Sequence, residues 1–321
     1  MFNRSSKTAR LVNFSVTVLG TSSALPTIDR YPTAHALNVH ERFFLIDCGE
    51  GTQMQLRRNR FKLIRINHIF ITHLHGDHFF GIFGLLSTMN LLGRKNDLYV
   101  YGHRLLKEVL DDHLKVFGAE FGYKVVFNEV AVKSREVIYE DDGLQVEAFP
   151  LKHRISCFGY LFREKEPHRN IHKWMIEKYK ISLAQVVKIR NGADLVLDDG
   201  EVIPNDKLTY LPYEPRSYAF CSDTAFSNKV AEYVKDVDLL YHEATFTNDL
   251  KKMAAQTGHS TALQAGKVAR LANVKKLIIG HFSSRYKDIS VFLHEAKEEF
   301  PNTELAKEGL TISIDLKRFK D

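Results

Sequence analysis

The stretch Thr72-His73-Leu74-His75-Gly76-Asp77-His78 brings three imidazoles and one carboxylate into six consecutive residues, His73 to His78. Neutral imidazole nitrogen and ionised carboxylate are the donors that borderline divalent ions prefer, and a catalytic ion needs several of them converging with one position left open. Without a cation between them the same groups would lose solvation and repel one another for no return. The flanks allow such convergence. His68-Ile69-Phe70-Ile71 reads as a short buried strand and the segment from Gly81 to Leu92 as a helix. The cluster therefore occupies the turn at the carboxyl end of a strand, where α/β folds bind their ligands.

The same positional rule finds more candidates. His153 follows the apolar run from Val146 to Leu151, Asp223 follows Tyr218 to Ser222, His281 follows Leu277 to Gly280, and Asp47 follows Phe43 to Ile46. With 15 histidines in 321 residues, any one of these reads as an ordinary polar residue at a strand end. Together with the cluster they supply the number of groups that a dinuclear site requires.

A hydrophobic fraction of 44% with 26% charged residues suits one large α/β domain or two smaller ones. No stretch approaches the roughly 18 unbroken apolar residues of a membrane span. Met1 to Arg10 is basic and polar and leads into an alternating pattern instead of an apolar core, so no secretory signal is read there and a cytoplasmic location is expected. Cys48, Cys157 and Cys221 are too few and too scattered for a disulfide framework or a cysteine zinc site, and read as reduced core thiols. The net charge of +6 is mild support for a polyanionic partner.

Strands are expected at Phe14 to Leu19, Arg42 to Asp47, Leu98 to Tyr101, Lys124 to Val130, Glu136 to Tyr139, Leu144 to Pro150, Cys157 to Phe162, Tyr218 to Ser222, Val237 to Glu243, Lys276 to Ile279 and Leu310 to Asp315. Helices are expected at Gln53 to Arg60, Leu105 to Phe117, Thr261 to Ala272 and Asp288 to Phe300. From Arg163 to about Pro215 the strand pattern gives way to a charged, partly helical stretch that reads as an insertion. Between Arg163 and Arg190 eight Lys or Arg face three Glu, a net of +5. Such a segment is either a solvated excursion or a grip on phosphates.

The ordered set Asp47, His73-x-His75-x-Asp77-His78, His153, Asp223 and His281 resembles the metallo-β-lactamase superfamily. With Leu19-Gly20-Thr21-Ser22-Ser23, Asp47-Cys48-Gly49-Glu50-Gly51-Thr52-Gln53, Phe83-Gly84-Leu85-Leu86, His242-Glu243-Ala244-Thr245-Phe246, His259-Ser260-Thr261 and His281-Phe282-Ser283-Ser284-Arg285-Tyr286, it resembles more closely the ribonuclease Z family of tRNA 3′-processing endonucleases. The resemblance runs from about Phe14 to Tyr286. It implies an α/β fold, a four-layer αβ/βα sandwich of two mixed sheets flanked by helices. Residues 1–321 would form a single domain, with 163–215 an inserted exosite arm.

By position the resemblance makes His73, His75 and His153 ligands of one zinc and Asp77, His78 and His281 ligands of a second, with Asp223 bridging and Asp77 counted also as catalytic. Asp47 would orient a ligand from behind. Two Zn2+ per subunit would activate a water for in-line attack on phosphorus. Glu243 with His259 would protonate the leaving 3′-oxygen, releasing a tRNA 3′-hydroxyl and a 5′-phosphorylated trailer. Ser283, Ser284 and Arg285 would hold a phosphate at the cleavage site. Lys165, Arg169, Lys173, Lys178 and Lys180 of the arm would grip precursor tRNA in a homodimer. The sequence departs from the family in lacking a Gly-Pro-rich arm tip, in whose place stands Ile181-Ser182-Leu183-Ala184-Gln185-Val186-Val187. Manganese or iron also suits the donor set. Two other readings stay open: a hydrolase of small phosphodiesters or sulfate esters, and a non-catalytic nucleic-acid-binding module.

Overall fold

A computed structural model of the chain describes residues 13–25, 27–117 and 121–319; the Met1 to Arg10 segment lies outside them. The chain divides into two compact units. The first runs to Tyr139 and takes up Val146–Phe162 and Ser217–Ile314; the second comprises Glu140–Gln145, Arg163–Arg216 and the chain from Asp315.

In the first unit, β1 (Phe14–Gly20), β2 (Ala34–Val39), β3 (Arg42–Ile46), β4 (Ile66–Phe70), β5 (Leu98–Gly102) and β6 (Val125–Glu129) form a seven-stranded sheet with β18 (Thr311–Ser313), in the order β18-β1-β2-β3-β4-β5-β6. Pairing is antiparallel from β18 to β3 and parallel from β3 to β6. A second seven-stranded sheet has the order β17-β16-β15-β14-β9-β8-β7, built from β7 (Glu136–Glu140), β8 (Leu144–Pro150), β9 (Phe158–Glu164), β14 (Ser217–Cys221), β15 (Leu239–Glu243), β16 (Lys276–Gly280) and β17 (Thr303–Leu305). Strands β14 to β17 are parallel.

Aromatic rings fill the space between the sheets. Phe44 meets Phe162 at 5.5 Å between ring centres, Phe70 meets Tyr160 at 5.3 Å, and His35 meets Phe220 at 4.9 Å. Edge-on rings at these separations add to plain area burial. On the outer face of the first sheet, Leu56 of α1 (Thr52–Arg58) and Ile82, Leu85 and Met89 of α3 (Ile82–Leu91) pack on Leu45, Ile69 and Val100; a single turn, α2 (Gly76–Phe79), precedes α3, and α4 (Arg104–Phe117) adds Leu106 and Leu110. The second sheet is covered in the same way by α8 (Asn228–Tyr233), α10 (Ala262–Leu271) and α11 (Ser290–Glu299), with α9 (Lys251–Thr257) between the first two in the chain. The result is the expected helix-sheet-sheet-helix sandwich.

Two strands of the large sheets were not expected. Ala34–Val39 escapes its alternation because both faces are buried and two of its positions are alanine; it lies between β1 and β3 in mid-sheet. Thr303–Leu305 is only three residues long, at a sheet edge. The final strand is Thr311–Ser313, shorter than Leu310 to Asp315.

The second unit has its own core of Ile171, Met175, Ile181, Ile189, Leu195, Ile203 and Leu208. Its elements are β10 (Asn170–Ile171), α5 (Lys173–Lys178), α6 (Leu183–Arg190), β11 (Leu195–Val196), β12 (Val202–Ile203), α7 (Asn205–Leu208) and β13 (Thr209–Tyr210). The segment that replaces a Gly-Pro tip is the start of α6. Ser182 caps it, with its hydroxyl on Gln185 N–H and the Gln185 side chain returned to the Ser182 N–H. At the root of the unit Arg216 and Glu164 form a buried ion pair at 2.8 Å.

Candidate active site

Both sheets present the carboxyl ends of their parallel strands to one rim. Asp47 follows β3, the His73 to His78 run follows β4, Asp223 follows β14, Glu243 ends β15 and His281 follows β16. Main-chain bonds join the two rims: Phe282 N–H donates to Thr21 O at 2.8 Å and Ser23 N–H to Phe282 O at 3.2 Å.

The histidines converge as ligands do. His73 Nε2 is 3.0 Å from His75 Nδ1, which is 3.3 Å from His153 Nε2; Asp223 Oδ2 lies 3.5 Å from His73 Nε2 and 3.8 Å from His153 Nε2. In the neighbouring group His78 Nε2 and His281 Nε2 are 3.3 Å apart, each 3.4 Å from Asp77 Oδ2. Donors around a tetrahedral ion with bonds of about 2.05 Å stand ~3.3 Å apart, so these spacings fit metal bonds. Asp223 Oδ1 is buried with no hydrogen-bond partner among the described residues, yet lies 3.3 Å from His281 Nε2 and 3.5 Å from His78 Nε2. One carboxylate therefore points its two oxygens at the two groups, as a bridging ligand does.

The far nitrogen of four histidines is held from behind. His153 Nδ1–H donates to Gly258 O at 2.8 Å. Gly258 has φ 77°, and a Cβ there would stand 2.9 Å from His153 Nδ1, so this carbonyl can approach only from a glycine. His78 Nδ1 donates to Asp47 Oδ2 at 2.7 Å. His73 Nδ1 meets the Thr72 hydroxyl at 3.0 Å, and that hydroxyl donates to Asp47 Oδ2 at 2.9 Å. His281 Nδ1 meets the Thr245 hydroxyl at 2.9 Å, which donates to Glu243 Oε2 at 2.8 Å. Each sheet thus supplies one carboxylate-threonine-histidine chain, leaving the other imidazole nitrogen unprotonated for the cluster.

Charge tells the same story. Burial drives the His73 pKa down to about 3 and lowers those of His75 and His153, so these imidazoles are neutral. His78 goes the opposite way: burial opposes its charge, but Asp77, Asp223 and Asp47 outweigh burial and raise its pKa well above the ordinary value. Asp77 and Asp223 are pulled down by the facing histidines despite burial. Three carboxylates that draw a proton onto a buried imidazole mark a place built for positive charge.

Glu243 is fully buried and collects N–H bonds from Thr224, Thr245 and Ser260 at 3.1, 2.9 and 2.9 Å. Its Oε1 also lies 3.1 Å from His259 Nδ1. Burial lowers the His259 pKa, but Glu243 and Asp223 more than reverse this and lift it to about 9. Ser260 serves Glu243, while Thr261 caps α10 by a reciprocal pair with Gln264. His259, Asp223 and His281 are also mutually close enough to hold an ion.

Asp77, His75, His153, Asp223, His259, His281, Ser283, Ser284 and Arg285 line one cavity of about 590 Å³. Arg285 Nε donates to Ser283 Oγ at 3.2 Å, and its guanidinium lies over Phe246. The arm residues belong to the second unit. There Lys165 pairs with Glu140 at 2.9 Å and Arg169 donates to the Thr209 hydroxyl at 2.7 Å, so both serve the unit's own structure. Lys173, Lys178 and Lys180 are exposed. Sequence reasoning missed Thr72, Thr245 and the Gly258 carbonyl; the threonines of Thr72-His73 and His242-Glu243-Ala244-Thr245 were the available signal. It also missed Phe80, which lines the cavity and is 58% exposed. All three cysteines are free, buried thiols.

Fold and donor set together define a metallo-β-lactamase-fold protein. The crystal structure of the metallo-β-lactamase fold protein YhfI from Bacillus subtilis matches 94% of this chain and 100% of that one, with a TM-score of 0.67 and 17% identity. Human tRNase Z, short form, matches 94% of this chain and 99% of that chain, with a TM-score of 0.70 and 28% identity. Ribonuclease Z of Phocaeicola vulgatus is 49% identical over 94% of this chain and 98% of that protein, and ribonuclease Z of Bacteroides thetaiotaomicron 47% identical over 94% and 96%. Residues 14–264 match the family model described as Anti-Pycsar protein Apyc1. The chain belongs to the ribonuclease Z family and, over residues 14–264, to the family that the Apyc1 model describes.

Proposed function

We propose that the protein is the endoribonuclease that removes the 3′ trailer from precursor tRNA, with two zinc ions in the paired donor groups. The observation that carries this reading is Asp223 reaching both histidine groups beside the buried Glu243–His259 pair, in a chain 49% identical to a ribonuclease Z. His73, His75 and His153 would hold one ion, Asp77, His78 and His281 the other, and Asp223 both. These residues would hold divalent ions, whose chemistry when bound would be to acidify a water and to offset charge on the phosphoryl oxygens.

The remaining work falls to side chains. His259 has Nδ1 engaged by Glu243, so Nε2 is its free nitrogen, and a pKa of about 9 leaves it protonated at neutral pH. Both features support His259 as the general acid for the departing 3′-oxygen. Glu243, anchored by three main-chain N–H groups, keeps the imidazole in place and charged. Arg285, with Ser283 and Ser284, would hold a phosphate at the cleaved bond. Lys173, Lys178 and Lys180 would meet tRNA phosphates; homodimeric assembly and a cytoplasmic location complete the proposal. No helix of the described residues is long and apolar enough to cross a membrane.

The test is zinc-loaded protein given a 3′-extended precursor tRNA and, separately, a chromogenic phosphodiester. Cleavage after the discriminator nucleotide is expected. Rapid turnover of the small ester with the precursor left intact would favour the small-phosphodiester reading. His259→Ala should lower kcat by ~10²- to 10⁴-fold while two zincs remain bound; loss of a zinc instead would make His259 a ligand. Removing Lys173 to Lys188 should weaken precursor cleavage far more than small-ester hydrolysis.

A further inference from the structure

From Gly51 to Arg65 the chain carries Arg57, Arg58, Arg60, Lys62 and Arg65 and no acidic residue, a local charge of +5. All five side chains are exposed. Two arginines in the last turn of α1 suit its negative end. Arg60, Lys62 and Arg65 lie past that helix and gain nothing from it. Arg65 is used locally, 3.3 Å from Glu41 and over the Phe43 ring at 4.4 Å, and Arg58 donates to the Tyr31 hydroxyl at 2.6 Å. Arg57, Arg60 and Lys62 have no acidic partner among the described residues.

These free cations border concave surface. Arg60 and Lys62 line two hollows of about 340 and 330 Å³; Arg57 joins them in the first, and Ser15, Thr17 and Thr311 line the second. The strip also leads away from the reaction centre. Glu50 lines the catalytic cavity and α1 begins two residues later. The six helical residues from Thr52 to Arg57 span ~9 Å; Arg60 and Lys62 lie farther, beside Ser15 and Phe43, which precede the rim residues Gly20 and Asp47 by five and four strand residues, ~13 to 17 Å. A nucleic-acid strand covers these distances in about three to five nucleotides, at ~3.4 Å each.

We propose that Arg57, Arg60 and Lys62 form a second anion-binding surface, which holds the sugar-phosphate backbone of the precursor RNA within a few nucleotides of the cleaved bond. The proposal rests on the tRNA-processing reading above. Unlike the arm, this surface belongs to the unit that carries the metal ligands, and it acts on the RNA strand close to the cut.

The test is the triple variant Arg57→Gln, Arg60→Gln, Lys62→Gln in the full-length zinc protein, assayed for precursor cleavage over a range of salt concentrations and for hydrolysis of the chromogenic diester. Three lost phosphate contacts should flatten the dependence of log(kcat/KM) on log[salt] by about 2 to 3. Diester turnover should stay unchanged. An unaltered salt slope would overturn the proposal. So would an equal effect from the charge-matched control Lys229→Gln, Lys235→Gln, Lys297→Gln, since that would make net charge the cause. A precursor with a one-nucleotide trailer locates the contact: a defect that persists puts it on the tRNA body, and one that vanishes puts it on the trailer. Wild-type protein that hydrolyses the diester and leaves the precursor intact would instead remove the reading beneath the proposal.

Discussion

Replacing Asp47 by Asn tests whether the carboxylate behind the ligands orders the metal centre. Asp47 offers two acceptor oxygens to three donors: Oδ1 takes Thr72 N–H at 2.8 Å, and Oδ2 takes the Thr72 hydroxyl at 2.9 Å and His78 Nδ1–H at 2.7 Å. Asparagine has one oxygen. In either orientation its NH2 faces a buried N–H, that of Thr72 or that of His78. A hydrogen bond to a charged group is worth about 1.5–3 kcal/mol net. Losing it at a ligand histidine should weaken metal binding by ~10- to 100-fold. The deficit should be read by competition with a chromophoric chelator at fixed pH. The stripped protein should be melted alongside: a buried carboxylate whose pKa burial has raised costs the fold something, so apo stability should fall by less than the metal affinity. Asp47→Asn protein that binds zinc within threefold of wild type would refute the orienting role.

Metal uptake should release protons, because His78 holds one in the metal-free protein that a ligand bond must displace. Its raised pKa means that affinity weakens as pH falls and strengthens as pH rises toward that value; calorimetry in buffers of different ionisation enthalpy counts the protons, and a count of zero would rule out a protonated His78 in the metal-free protein. Gly258→Ala forces a Cβ to within 2.9 Å of His153 Nδ1 at φ 77°, so a thermal melt should show ~1–2 kcal/mol of strain and elemental analysis a loss of zinc. Glu164→Gln leaves Arg216, 2% exposed, without its carboxylate, and denaturant unfolding should report a loss of about 3–5 kcal/mol.

The site was legible where its chemistry demands a side-chain type. The convergence of His73, His75, His78, His153, Asp77, Asp223 and His281 could be read because few other side chains suit a divalent ion, and strand-end placement marks them even across two hundred residues. The supports were not legible in the same way. A main-chain carbonyl at Gly258 has no residue signature, and Thr72 and Thr245 act by the direction of a hydroxyl, which only folded geometry reveals. The strand Ala34–Val39 is buried on both faces, so the alternation that betrays half-buried strands is absent. The arm's excess charge stood out in the sequence, yet Lys165 and Arg169 turn inward to partners of their own unit, a fate that composition does not distinguish from solvent exposure.

Two of the strand ends carry side chains at left-handed backbone angles: Asp47 at φ 56° and His281 at φ 62°. For residues other than glycine such angles cost about 1–2 kcal/mol each. They occur at the exit of β3 in one sheet and of β16 in the other, and each redirects a carboxylate or imidazole that would otherwise follow the strand's own alternation. The energy needed to turn these groups inward is therefore spent during folding, before any ion arrives. Loading then requires stripping water from the ion and a proton from His78, with little rearrangement of the chain. Metal should enter as fast in folded apoprotein as those two steps allow, and the protein should keep its fold through cycles of zinc loss and recovery.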